Sequence, residues 1–533
     1  MKNVIPLFLR ITILLSGLVI GCNQNQDNSS KKEIAILQGE KWWGGAVLDG
    51  RNSPLDDGKF VYNQDADCKT NQAAPLYLSD KGRYIWSEKP LNIKITKEKI
   101  LVEAKDGEVI SGKGGETLKE AFLYTSSKFF PPSGKTPDPL LFTSPQYNTW
   151  IELQYNQNEK DILKYADDIV KNGFPVGVIM IDDNWQQRYG TWKFDCEKFS
   201  DPKGMVEKLH KMGFKVMLWV VPFISPDSPV YRELAEKKML IFENKEKTKP
   251  AKIEWWNGVS ALVDISNPAG EKWFKGQLNN LVKEYGVDGF KLDAGDPERY
   301  AGTYSYKDYS PNDHCEAYAR LGLDFSLNEF RACWKMAGQP LVQRLRDKNH
   351  TWDDVRVLIP DMIGLGLIGH QFGCPDMIGG GDNASFQDAS VMDEELIVRS
   401  AEVSTLMSMM QFSVAPWRVL GKENLAICKK MANLHYQMGK EIYYIAKESA
   451  VSGEPMVRNL EYEYPGKGYE AIKDQFLLGS KILVAPVVVK GQRSREIIFP
   501  EGKWQGDDGS VVTGPAKLKI EVPLERLPWY RKI

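Results

Sequence analysis

Val287-Asp-Gly-Phe-Lys-Leu-Asp293 is a short, largely apolar run, broken by Asp288 and Lys291, that closes on a carboxylate. Ahead of it, Asn267 can cap a helix that starts at Pro268 and runs to Tyr285. A helix feeding a short, buried strand is the repeating half of a parallel sheet. The same unit stands twice upstream. Residues 161–174 place Ile162, Tyr165, Ala166, Ile169 and Val170 on one helical face before Val176-Gly-Val-Ile-Met-Ile181, and residues 202–214 precede Lys215-Val-Met-Leu-Trp-Val-Val221. Repetition over nearly 300 residues predicts a (β/α)8 barrel. A doubly wound open sheet is the alternative, but no Gly-rich phosphate loop opens any helix.

Outward from the barrel, at 146–438, the period changes. Residues 36–145 alternate in short segments such as Leu91-Asn-Ile-Lys-Ile-Thr96, which predicts an N-terminal β-sandwich ending in a Pro-rich edge loop from Phe130 to Pro145. Residues 439–533 are strand-like again and predict one or two small C-terminal β-domains. A chain of 533 residues has ample surface to bury in several domains.

Residues 1–21 have the physics of an export signal: Lys2, an apolar stretch interrupted by Arg10, then Leu18-Val-Ile-Gly-Cys22. The Val-Ile-Gly-Cys junction resembles a bacterial lipobox, so Cys22 is expected to carry lipid and residues 22–35 to form a solvated tether. The expected location is outside the cytoplasm, periplasmic or at the cell surface, with the membrane contacted through the lipid alone. A soluble secreted protein with an incidental cysteine is the plainer alternative. A net charge of −2 supplies no broad basic field for nucleic acid. The six other cysteines lack CxxC spacing and the five histidines are not paired at ligand spacing, so neither disulfide framework nor metal is indicated.

In a barrel, residues at the C-terminal strand ends face the mouth where substrates bind. Three strands end in acids: Ile179-Met-Ile-Asp-Asp183, Lys291-Leu-Asp293 and Pro375-Asp376. Each could be a turn former alone. Lys291, inside an apolar strand, needs an anionic partner, because an unpaired buried charge costs several kcal/mol.

The set Ile181-Asp-Asp-Asn-Trp185, Glu254-Trp-Trp-Asn-Gly258, Gly289-Phe-Lys-Leu-Asp-Ala-Gly-Asp296, Arg344-Leu-Arg-Asp347, Cys374-Pro-Asp-Met-Ile-Gly-Gly380 and Met410-Gln-Phe-Ser-Val-Ala-Pro-Trp417 resembles glycoside hydrolase family 31. Within it the likeness is to the branch with the myogenesis-regulating glycosidase and bacterial α-galactosidases. The resemblance implies that Asp293 is the nucleophile and Asp347 the general acid/base, with Asp182, Asp183, Trp256, Lys291, Arg331, Arg344 and Trp352 walling the −1 sugar. Such chemistry needs two carboxyls about 5–5.5 Å apart and no cofactor. Gly380-Gly-Asp-Asn383 offers Asp382 as a rival acid. Asp347 is preferred because Trp352 and Ile359-Pro360 reproduce the spacing that follows the family acid. Trp255 is read as a core aromatic, and Leu406 to Met410 as a buried helix face. The implied reaction is removal of a terminal α-linked sugar from an oligosaccharide or glycoside. The paired Asp182-Asp183 and Lys291 resemble the galactose-cleaving branch more than the glucosidases, which implies α-galactose as the sugar; α-glucose is the runner-up, and a lipoprotein that binds glycans without cleaving them is the rival from another class.

Overall fold

The computed structural model describes residues 30–55, 58–388 and 391–533. The export signal and Cys22 lie outside the described residues. Among the described residues no helix is long and apolar enough to cross a membrane.

Eight parallel strands form the central sheet: β1 (Gln146–Asn148), β2 (Val178–Ile181), β3 (Lys215–Val220), β4 (Gly289–Leu292), β5 (Leu327–Phe330), β6 (Gln343–Arg344), β7 (Gly373–Cys374) and β8 (Gln411–Phe412). They lie side by side in chain order from β1 to β7, and β8 returns to pair with β1. The seam between β7 and β8 is drawn together where Ile378 N donates to Gln411 O at 2.9 Å and the Ser408 hydroxyl donates to Gly373 O. The sheet is thus a nearly closed barrel. The helix before β4 is Pro268–Tyr285, with the Asn267 side chain accepting from Ala269 N and Gly286 ending it in the left-handed region at φ +78°.

Two sheets pack at the N-terminus. One runs Ser30–Ala35, Lys99–Ala104, Leu91–Ile95, Phe60–Asn63; the other includes Gln72–Ser79, Arg83–Trp86 and Ile110–Lys113. The strand Ser30–Ala35 begins inside the stretch expected to be a solvated tether. Its charged residues Lys31, Lys32 and Glu33 are exposed, but its backbone pairs along Lys99–Ala104 and Ile34 packs on the core. A helix, Leu118–Phe129, stands where the sequence reads as strands. Thr117 caps it, and Leu118, Ala121 and Phe122 are buried along one side.

The second N-terminal sheet does not end at its own domain. Cys333–Trp334, from the loop after β5, pairs in parallel with it, Cys333 opposite Gln72. Gln72 Nε2 donates to the carbonyls of Arg331 at 2.7 Å and Arg344 at 2.9 Å, and Asn71 Nδ2 bonds the same two carbonyls. The sandwich therefore clamps two loops at the barrel mouth.

Two C-terminal readings change. The helix Lys422–Ser452 runs through residue 439, where a boundary was expected; Gly439 lies so close to the Thr143 backbone that a Cβ would not fit, and Gly453, at φ +81°, ends the helix. Leu406 to Met410 is buried but not helical, since the preceding helix stops at Thr405. Beyond the long helix, one six-stranded antiparallel sheet closes the chain around Leu477, Leu483, Phe499 and Trp504.

Candidate active site

Asp293 follows β4, and the chain turns at once through Ala294 in the left-handed region, φ +55°, so that Ala294 N donates to Asp293 Oδ1 at 2.7 Å. Arg331 Nε donates to the same oxygen at 2.8 Å, and Trp219 Nε1, from β3, donates to Oδ2 at 2.9 Å. Burial alone would raise this carboxyl. The charges of Arg331, Lys291 and Arg344 outweigh it and hold Asp293 well below the usual carboxylate range. Arg331 is itself fixed by Asp296, to which Nη1 and Nη2 donate at 3.0 and 2.8 Å, and by Thr70 O at 2.7 Å.

Lys291 finds the anion its position demands. Its Nζ donates to Asp182 Oδ2 at 2.7 Å, both side chains being buried. Among the described residues no cation pairs with Asp183. It accepts from Tyr189 Oη at 3.0 Å, Asn257 Nδ2 at 2.5 Å and Asn184 N at 2.7 Å. Burial, and the neighbouring charge of Asp182, push its carboxyl up to about 7.

Asp347 is set differently. Its Oδ1 accepts from Arg344 Nη1 at 2.8 Å, and its side chain is 44% exposed. Asp382, the rival acid, accepts from the Ser385 hydroxyl at 3.2 Å, and the cavity is lined by its neighbour Asn383 instead.

Asp182, Asp183, Trp256, Lys291, Asp293, Arg331 and Asp347 line one cavity of about 440 Å³ at the C-terminal strand ends. Two expected wall residues do not. Arg344 is buried beneath the cavity, where it pairs with Asp347, Asp376 and Glu329. Trp352 starts the helix Trp352–Leu367, donates its Nε1 to Asp393 at 2.9 Å and is not among the residues lining the cavity. Trp255 is core, as expected, while Trp256 is 46% exposed above Arg331.

The cavity also takes Trp150, Tyr155, Trp219, Asp296, Arg299 and Arg346, none of them singled out from sequence. Asp296 and Arg346 stood in quoted motifs, Gly289 to Asp296 and Arg344 to Asp347, and Trp219 in the quoted strand Lys215 to Val221. Trp150, the first residue of the short helix Trp150–Leu153 after β1, and Tyr155 just beyond it pack edge to face, 5.3 Å between centroids. Among the described residues, Cys68, Asp296 and Glu298 bring possible metal ligands together. Asp296 already gives both oxygens to Arg331, which leaves the grouping without a free pair of carboxylates.

Residues 143–445 match the model described as the glycosyl hydrolases family 31 TIM-barrel domain, and residues 453–532 that of the family 31 C-terminal domain. The chain is 31% identical over 423 residues to the myogenesis-regulating glycosidase of Mus musculus, covering 77% of this chain and 59% of that protein. It is 24% identical over 410 residues to alpha-glucosidase 2 of Bacillus thermoamyloliquefaciens (70% and 51%), and 25% over 497 residues to the alpha-xylosidase XylQ of Lactiplantibacillus pentosus (85% and 62%). The chain thus spans between half and two thirds of the length of these relatives. The Flavobacterium johnsoniae GH31 dextranase complexed with glucose shares the fold with a TM-score of 0.84 at 21% identity, over 95% of this chain and 66% of that one.

Proposed function

Because this chain belongs to glycoside hydrolase family 31, we propose that it is an exo-acting, retaining α-glycosidase working through a glycosyl ester on Asp293. One observation carries the reading: Asp293 and Asp347 line a single cavity in opposite environments, the first locked by Arg331 and Trp219, the second half exposed. An ionised, oriented carboxylate suits attack on the anomeric carbon, and a solvent-facing one can exchange protons. In the first step the Asp293 oxygen bonds to the anomeric carbon as the glycosidic C–O bond breaks, and Asp347 gives its proton to the departing oxygen. In the second, Asp347 takes a proton from water, whose oxygen displaces the ester, releasing sugar with its configuration retained.

We take the sugar to be α-galactose, on the likeness of Asp182-Asp183 with Lys291 to the galactose-cleaving branch. The buried Lys291–Asp182 pair and Asp183, near 7, put charged and protonated groups where ring hydroxyls would sit, and a site with such buried groups rejects the epimer that leaves them unpaired. α-Glucose is the second reading, favoured by the match to an alpha-glucosidase. A panel of nitrophenyl α-glycosides, with the product anomer read by NMR, tests both. Preferred release of α-galactose supports the proposal, preference for the glucoside replaces the sugar, and an initial β-anomer refutes retention. The Val19-Ile-Gly-Cys22 junction supports an exported, lipid-anchored enzyme; labelling with a fatty acid analogue that is lost in Cys22→Ala is the outcome that reading requires.

A further inference from the structure

Four cations line the cavity: Lys291, Arg299, Arg331 and Arg346. Lys291 pairs with Asp182, and Arg331 with Asp293 and Asp296. Among the described residues, neither of the other two has a carboxylate partner. Arg299 donates Nη1 to the Glu254 carbonyl at 2.7 Å, and Arg346 Nε is buried with no partner at all. A guanidinium is always charged and presents forked donors that match a carboxylate, sulfate or phosphate. Two partly exposed guanidiniums without an anion beside a substrate cavity are free to receive one from the substrate.

Their place says which end of the substrate does so. The floor is the deeply buried Lys291–Asp182 pair, whereas Arg299 and Arg346 are only partly buried. Arg346 directly precedes Asp347, the group assigned to protonate the leaving oxygen. Arg299 is tied to the backbone two residues before Trp256, an exposed aromatic of the cavity wall. We propose that the leaving group carries an oxyanion, which Arg346 and Arg299 bind, so that the natural substrates are α-glycosides of anionic aglycones. This rests on the glycosidase reading and narrows its substrate class.

The test compares the nitrophenyl α-glycoside preferred in the panel with counterparts bearing a carboxylate, a sulfonate or a phosphate on the phenyl ring, and a neutral disaccharide with its reducing-end uronate. In the wild type, kcat/KM should favour at least one anionic aglycone by about tenfold or more, mainly through KM, since a charge-assisted pair is lost with the neutral one. The preference should fall with added salt. Arg346→Gln and Arg299→Gln should each reduce the anionic-to-neutral ratio severalfold, with Arg346→Lys between, in variants whose thermal unfolding is unchanged. No anionic preference in the wild type, or a preference untouched by both glutamine variants, overturns the inference while leaving the glycosidase reading intact. So does a preference for an anionic sugar in the −1 position, such as an α-galacturonide. If no glycoside is cleaved, the proposed function fails, and calorimetry with the neutral disaccharide and its uronate decides the inference: tighter binding of the uronate sustains it, and equal or absent binding overturns it.

Discussion

Arg344 donates through a single nitrogen, Nη1, to Asp347 and to Asp376, at 2.8 Å each. Its Nε lies 3.3 Å from Glu329 Oε1, and Glu329 in turn accepts from Gln411 Nε2 at 2.7 Å. One buried cation therefore holds three carboxylates, only one of which reaches the cavity. Burial pushes Asp376 up to about 7 against the pull of Arg344. The position of the proposed acid/base is set by an arginine that the substrate does not meet.

Replacing that arginine should cost both fold and chemistry. Arg344→Gln leaves carboxylates clustered without their cation, and breaking a buried pair on one side destabilises by about 3–5 kcal/mol. Denaturant unfolding should show that loss. Turnover of glycosides with poor leaving groups should fall more than that of activated aryl glycosides, because only the former need a placed proton. Equal loss on both would argue that Arg344 acts through folding alone.

Gly381 faces Asp347 so closely that an added Cβ would lie 2.9 Å from Asp347 Oδ1 and 2.5 Å from the Met377 methyl. Methionine can yield at its flexible end, whereas the carboxylate is anchored by Arg344. Gly381→Ala should lower kcat by about ten- to hundredfold, the scale expected for a misplaced catalytic group, with little change in thermal stability. Full activity in the alanine variant would show that Asp347 has more room to move than its contacts imply.

Stability should depend on pH through Asp183. Its carboxyl titrates near 7 in the folded chain, raised by burial and Asp182, and at about 3.9 unfolded. The folded state then holds a proton that the unfolded state has lost between these values. The resulting stabilisation is full below about pH 4 and disappears as pH rises through about 7. Glu402, pushed up to about 8 by burial, adds the same sign. Burial holds His314, His370 and His435 down to about 4 or below, which adds stability as pH rises through about 6.5, so the contribution of Asp183 is read as a difference: the Tm of the wild type relative to that of Asp183→Asn should fall from pH 5.5 to 8. A difference that stays constant or grows across this range would contradict the argument.

What was legible in the sequence is what leaves a local mark. Lys291 and Asp293 stand out because charges interrupt an apolar strand, and Asn267-Pro268 announces a helix start by its own chemistry. Arg299 and Arg346 leave no such mark. That neither has a carboxylate partner among the described residues is visible only in the assembled loops. Trp352 misled because spacing along the chain fixes a residue's place but not its direction, and its Nε1 donates to Asp393. The strand Ser30–Ala35 was hidden by exposed charges on a backbone held by pairing. The long C-terminal helix was cut at 439, beside a glycine whose close approach to the Thr143 backbone is a tertiary contact that the sequence does not display.

The central claim is that Asp293 attacks the sugar carbon. A 5-fluoro-α-glycosyl fluoride of the preferred sugar, added to the enzyme and followed by proteolysis and mass spectrometry, tests it most directly. The account predicts a single glycosylated peptide containing Asp293, with no label in Asp293→Asn. Labelling of any other carboxylate, or steady turnover by Asp293→Asn, would contradict it.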